Sequence, residues 1–164
     1  MADNKFQKIL VGLDLSDFTE ETLGCALELS WALGAELVVL NVIHQRDVDA
    51  FNFIQRTTEI IDAQQMLDQR RQDRQAQLQQ LLDQAGAAGQ VLVRVGVPWE
   101  ALLDAVEEIG AQMVVVGTKG RGEGKRTLFG SNAEKIFRHC PVTVVSARGL
   151  RHREAVDKLR NHVD

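Results

Sequence analysis

The chain has 164 residues, of which 45% are hydrophobic and 26% charged, and a formal net charge of -4. That size and balance fit one ordinary globular domain with a single core, and the mild acidity argues against a general nucleic-acid binder. No apolar run approaches membrane-spanning length, the opening Met1-Ala2-Asp3-Asn4-Lys5 lacks a secretory apolar stretch, and Cys25 and Cys140 form no C-x-x-C pair, so the expectation is a cytoplasmic protein with two buried, reduced thiols.

In chain order, Ile9-Leu10-Val11 reads as a short buried strand, followed by a loop from Gly12 to Asp17. A helix is expected over about 19–33, with Leu23, Ala26, Leu27 and Trp31 on one face and Gly34 as its stop. Residues 37–43, all apolar except Asn41, form a second strand covered on both faces. Residues 44–57 lack clear periodicity and read as an irregular segment. A long helix is then expected over 58–85. Its middle, 69–80, is mostly Gln, Arg, Asp and Ala, a solvated face. Acids interleave with Arg70, Arg71 and Arg74, which argues against a nucleic-acid role for them.

A third strand covers 91–95. Gly96-Val97-Pro98 turns into a helix with Pro98 at its first position and an apolar face of Trp99, Leu102, Leu103, Val106 and Ile109. Gly110 stops it. Residues 113–116 are a fourth strand, 132–139 a helix that ends before Pro141, and 142–145 a fifth strand. The segment 148–164 is charged and weakly helical. One domain over 1–147 and this tail account for the chain, without internal repeats.

The stretch from Gly117 to Ser131 carries the chemistry. Strand four runs into a glycine-rich loop containing Lys119, Arg121, Lys125 and Arg126, and the loop runs into a helix. Glycines let backbone N–H groups approach an anion closely, and a helix N-terminus adds orphan donors and a partial positive charge. Such a cradle suits a nucleotide or another phosphate compound. The P-loop pattern fails, because Lys125 is followed by Arg126, and G-x-G-x-x-G fails in both frames. What remains is Gly117-x-x-Gly120, nine residues, then Gly130-Ser131. Ser131 and Glu134 have capping-box spacing, which places the helix start at Ser131. Alternating strands and helices imply a parallel sheet with helices on both faces. Ligands of such sheets sit beyond the carboxyl ends of the strands, where strand order reverses. If strand one is central, Gly12-Leu13-Asp14 and the glycine loop meet there.

Over residues 5–147 the chain resembles the universal stress protein family. The residues that carry the likeness are Lys8-Ile9-Leu10-Val11-Gly12-Leu13-Asp14-Leu15-Ser16, Val38 to Val42, Gly96-Val97-Pro98, and the spacing G-x2-G-x9-G-[ST] of the family's ATP-binding branch. The resemblance implies an open, twisted, five-stranded parallel α/β sheet of order 3-2-1-4-5, of the adenine nucleotide alpha hydrolase-like kind. It implies bound ATP, or ADP or AMP, with Mg2+ accompanying the nucleotide. It also implies a homodimer through the last strand, here Val142, Val144 and Val145.

Carried over by that resemblance, Leu13 and Asp14 meet the adenine or ribose end. Val42 offers backbone groups to the adenine edge, and Val116 and Gly117 line base and sugar. Gly120, Gly130, Ser131 and Asn132 contact phosphates, with Arg121 among the cations that would neutralise them. A turn-capping aspartate and a plain helix cap are the structural alternatives for Asp14 and Ser131. Asn132 stands where an apolar residue is usual. Gly122 and Gly124 make the loop costlier to order. His139 suits the C-terminal end of its helix dipole, and His44 is a loop histidine near the site. His152 and His162 lack metal-ligand spacing, so neither a metal centre nor a catalytic residue is expected.

The reading is a nucleotide-dependent stress or signalling module, without a membrane or nucleic-acid partner and with an unidentified protein partner. A slow ATP hydrolase or phosphotransferase is one alternative, for which Asp14 and Glu123 are the only carboxylates at hand. A nucleotide-free interaction module is the other.

Overall fold

A computed structural model describes residues 6–58, 62–118 and 130–149. Five strands, β1 (Lys8–Gly12), β2 (Glu36–His44), β3 (Gln90–Gly96), β4 (Met113–Gly117) and β5 (Thr143–Ala147), form one sheet in the order β3-β2-β1-β4-β5. All neighbours pair in parallel, with Val11 opposite Val39 on one side and Val115 on the other. This is the expected order, and it reverses direction between β1 and β4.

The alternation along each strand assigns the two cores. Ile9, Val11, Leu37 and Val39 face α1 (Thr19–Leu33) and α3 (Ala63–Gln84), packing on Leu23, Ala26, Leu27, Leu78 and Leu82. Leu10, Val38, Leu40, Val114 and Val116 face α4 (Pro98–Ile109) and α5 (Ser131–His139), packing on Leu102, Ala105, Val106 and Ile136. Central strands buried on both faces have no room for a polar alternation, which is why they read as continuous apolar runs.

Four expectations change. Residues 44–57 are not irregular: α2 spans Gln45–Thr58. Its one buried residue is Phe51, and the Arg70 guanidinium of α3 lies 4.8 Å from that ring's centroid while pairing with Asp47 at 3.1 Å. These contacts with α3 hold the helix through its one buried residue. Second, the long helix does not begin at residue 58. Asp62 caps α3, accepting hydrogen bonds from the Gln64 and Gln65 amides at 2.9 and 3.2 Å. Residues 59–61 lie outside the described residues.

Third, Trp31 is 61% exposed. Ser30 takes the inward position beside Leu27, donating its hydroxyl to the Ala35 carbonyl at 3.0 Å, and Gly34 closes α1 in the left-handed conformation. Fourth, Cys25 and Cys140 are half-buried free thiols. Burial pushes both thiols up, aided at Cys25 by the Glu28 charge and opposed at Cys140 by a backbone hydrogen bond from Val142.

The solvated face of α3 is as expected. Gln64, Gln69 and Gln79 donate to Asp68, Asp73 and Asp83, each four residues on, a spacing that supports a helix from its own surface. From residue 150 onward the chain lies outside the described residues.

Candidate functional site

The site starts from the end of β1. The Leu13 amide donates to the Leu40 carbonyl at 2.9 Å, and the buried Asn41 amide nitrogen donates to the Leu13 carbonyl at 2.7 Å. Leu13 is thereby pinned to β2 through both backbone groups. Beyond it the chain makes a tight turn. Asp14 Oδ1 accepts from the Ser16 amide at 3.1 Å, Ser16 Oγ accepts from the Phe18 amide at 3.3 Å, and Leu15 holds φ at 58°. Asp14 therefore does cap its turn through Oδ1. A carboxylate can accept several hydrogen bonds at once, so capping and ligand binding are compatible.

The end of β4 is built to match. The Gly130 amide donates to the Thr118 carbonyl at 2.8 Å. The two ends of the glycine loop thus stand side by side, both buried. Gly130 is the N-cap of α5, with extended φ and ψ and no side-chain cap. Ser131 is the first helical residue rather than the cap, and Glu134 pairs with Arg138 at 2.9 Å instead of reaching back. The capping-box spacing is not realised as a box. A glycine cap leaves the first amides of α5 without the side-chain acceptor that Ser or Asp would supply, which keeps this end suited to an external anion.

Between these two constructions lies a cavity of about 250 Å3. Its floor is the carboxyl edge of the sheet: Gly12, Leu13 and Asp14 of the β1 end, Leu40, Val42, Ile43 and His44 of β2, and Val116, Gly117 and Thr118 of the β4 end. Phe18 just before α1, Thr19 and Thr22 of α1, Arg46 and Asp47 of α2, and Arg74 of α3 wall one side. Pro98 and Leu102 of α4 with Gly130, Asn132, Ala133 and Ile136 around α5 wall the other. Gly12 matters for shape, since a Cβ there would stand 2.8 Å from Leu102 Cδ1.

Of the residues singled out from sequence, Leu13, Asp14, Val42, Val116, Gly117, Gly130 and Asn132 line this one cavity. Ser131 is exposed at the head of α5, one residue from two lining positions. Gly120 and Arg121 lie outside the described residues, as do Lys119, Glu123, Lys125 and Arg126. His44 does border the cavity, and its Nδ1 accepts from the Arg46 amide at 3.1 Å, helping to start α2. His139 lies away from it, its ring 5.6 Å from that of Trp99.

Sequence reasoning missed Phe18, Thr19, Thr22, Thr118 and the polar set Arg46, Asp47 and Arg74. The α1 threonines had a local signal, because a helix that follows the aspartate turn starts at the sheet's carboxyl edge. Arg74 had none. It is 60 positions from Asp14 in sequence and reaches the cavity only because α2 and α3 fold back over that edge. Among the described residues no group of three or more His, Cys, Asp or Glu could hold a metal ion.

The model of the universal stress protein family matches residues 5–148. The chain belongs to that family. A universal stress protein of Methanocaldococcus jannaschii, MJ0531, is 27% identical over 147 residues, covering 87% of this chain and 84% of that protein. Among solved structures, protein MJ0577 superposes with a TM-score of 0.69 at 20% identity, covering 89% of this chain and 99% of that one. A universal stress protein in complex with cAMP superposes with a TM-score of 0.57 at 22% identity, covering 87% and 97%. One from Archaeoglobus fulgidus in complex with dAMP gives 0.60 at 17% identity, covering 87% and 98%. Those likenesses carry the fold. Other members of the family thus bind adenine nucleotides, and in this universal stress protein the cavity stands where the strand order reverses, the usual ligand position of such sheets.

Proposed function

We propose that this universal stress protein binds an adenine nucleotide, ATP first among them, in the cavity between the β1 and β4 ends, and acts as a nucleotide-responsive module. The observation that carries the proposal is the pairing of Thr118 with Gly130, which brings the two ends of the G-x2-G-x9-G-S loop together at a helix N-terminus whose cap is glycine. In this reading the phosphates rest on Gly130, Ser131 and Asn132 at the head of α5, where backbone donors and the helix dipole favour negative charge. Gly120 and Arg121 of the loop complete that end. Leu13, Val42, Val116 and Gly117 enclose base and sugar, and Asp14 accepts from ribose or adenine donors. Mg2+ arrives with the phosphates. The cAMP and dAMP complexes of relatives support the ligand class.

The response to nucleotide is a population shift, which requires the ligand to bind one conformation better than the other. The protein acts in the cytoplasm as a homodimer through β5, with a protein partner reading the nucleotide state.

The test is to purify the protein without added nucleotide, denature it, and identify what is released by chromatography and mass spectrometry. About one ATP, ADP or AMP per chain is expected. Gly130→Val keeps the extended backbone of residue 130 but sets a branched side chain at the phosphate end, and its nucleotide affinity is expected to fall by more than about tenfold. An empty protein that also shows no calorimetric response to ATP with magnesium sinks the proposal.

A further inference from the structure

Thr19 stands apart from the other polar residues of the cavity wall. It is the first residue of α1, 6% exposed, and its Oγ1 has no hydrogen-bond partner among the described residues. Buried side-chain oxygens of Asn41 and Ser146 share that condition among the described residues, and neither residue lines the cavity, whereas Thr19 does. Its neighbour one turn on behaves differently: Thr22 Oγ1 donates to the Phe18 carbonyl at 2.9 Å. That back-bond is the usual resort of a threonine in a helix. Thr19 lacks it because four residues earlier the chain is Leu15, in the aspartate turn with positive φ rather than in a helix. A hydroxyl buried without a partner is costly. Position and burial leave the cavity as the place where this hydroxyl is satisfied.

Its chemistry follows from the surroundings. The first turn of α1 carries Glu20 and Glu21, which already answer the helix dipole and disfavour an anion there. The group that Thr19 meets is therefore not an anion, which excludes the phosphates. α1 packs on the opposite face of the sheet from α5, so Thr19 lies across the sheet from the end assigned to phosphates. We infer that Thr19 is a specificity-determining residue: its hydroxyl bonds a neutral donor or acceptor on the nucleoside half of the ligand, a ribose hydroxyl or the purine edge. The inference rests on the nucleotide-binding reading above.

The test compares wild type, Thr19→Val and Thr19→Ser by calorimetry with ATP, 2′-deoxyATP, 3′-deoxyATP, purine riboside triphosphate and inorganic tripolyphosphate, alongside thermal unfolding of the empty proteins. Val replaces the hydroxyl with a methyl of similar shape. Thr19→Val is expected to bind ATP about tenfold more weakly, to bind tripolyphosphate as wild type does, and to melt about 2–4 °C higher when empty. Thr19→Ser retains ATP affinity within about threefold, because the hydroxyl remains. The analogue that lacks the bonded group shows no difference between wild type and Thr19→Val, which identifies the group. A Thr19→Val protein that binds ATP as wild type does overturns the inference and leaves nucleotide binding standing. So does one that loses tripolyphosphate in parallel, since that reports general distortion. A wild type that binds no nucleotide removes both.

Discussion

Leu15 is the one non-glycine residue with positive φ among the described residues. A left-handed L-residue costs about 1–2 kcal/mol, and more with a branched β-carbon. The strain sits between Asp14 and Ser16, whose side chains hold the turn, and the pinned Leu13 backbone holds it from behind. Leu15 also packs on the core cluster under α1, so two effects compete at this position. If backbone strain wins, Leu15→Gly stays within about 1 kcal/mol of wild type, while Leu15→Ile, which keeps the apolar volume, loses about 2 kcal/mol. Urea denaturation of the two variants decides it. A glycine variant less stable than the isoleucine variant would mean that packing dominates. Asp14 was readable as a turn residue because aspartate bonds its own backbone two residues on. Thr19 was readable only as a residue near the sheet's carboxyl edge, since nothing in its local sequence says which wall its hydroxyl faces.

At the scale of elements, those with an internal signal were legible. α1 and α4 carry apolar stripes and glycine stops, and both end on Gly34 and Gly110 in the left-handed conformation. α2 buries only Phe51. It is held by Phe51 under Arg70 and by the Asp47–Arg70 pair, and a residue 23 positions away cannot be seen in a local window. The start of α3 did have a local signal, for Asp62 with Gln65 three residues later is a cap in its own right. Asp62→Ala is expected to cost about 1 kcal/mol, and Asp62→Asn to be nearly neutral, in equilibrium unfolding by circular dichroism. An alanine variant as stable as wild type would mean that packing on α2 and β3 sets the α3 boundary without the cap.

At the scale of the whole molecule, the order of strands and helices in the chain already implied a doubly wound parallel sheet, because parallel neighbours require crossovers and crossovers are right-handed. The sheet leaves β3 and β5 as its edges. An unpaired edge invites a second strand, and lysine on an edge blocks it. Thr143 is exposed on β5. If the homodimer forms through β5, light scattering gives twice the chain mass for wild type. Thr143→Lys then weakens association by at least about tenfold, since facing like charges across an interface cost several kcal/mol. A wild-type monomer at high concentration, or a dimer indifferent to the lysine, rules out that interface. The chain order, the apolar runs and the glycine spacing were enough to place the strands, their two cores and the two segments that meet beyond β1 and β4, because these follow from periodicity and from the backbone freedom of glycine. The far wall of the cavity, with Thr19, Arg46, Asp47 and Arg74, was decided by how α1, α2 and α3 pack over the sheet's edge. Packing joins residues far apart in sequence by shape and burial, and neither is written in any short stretch of the chain.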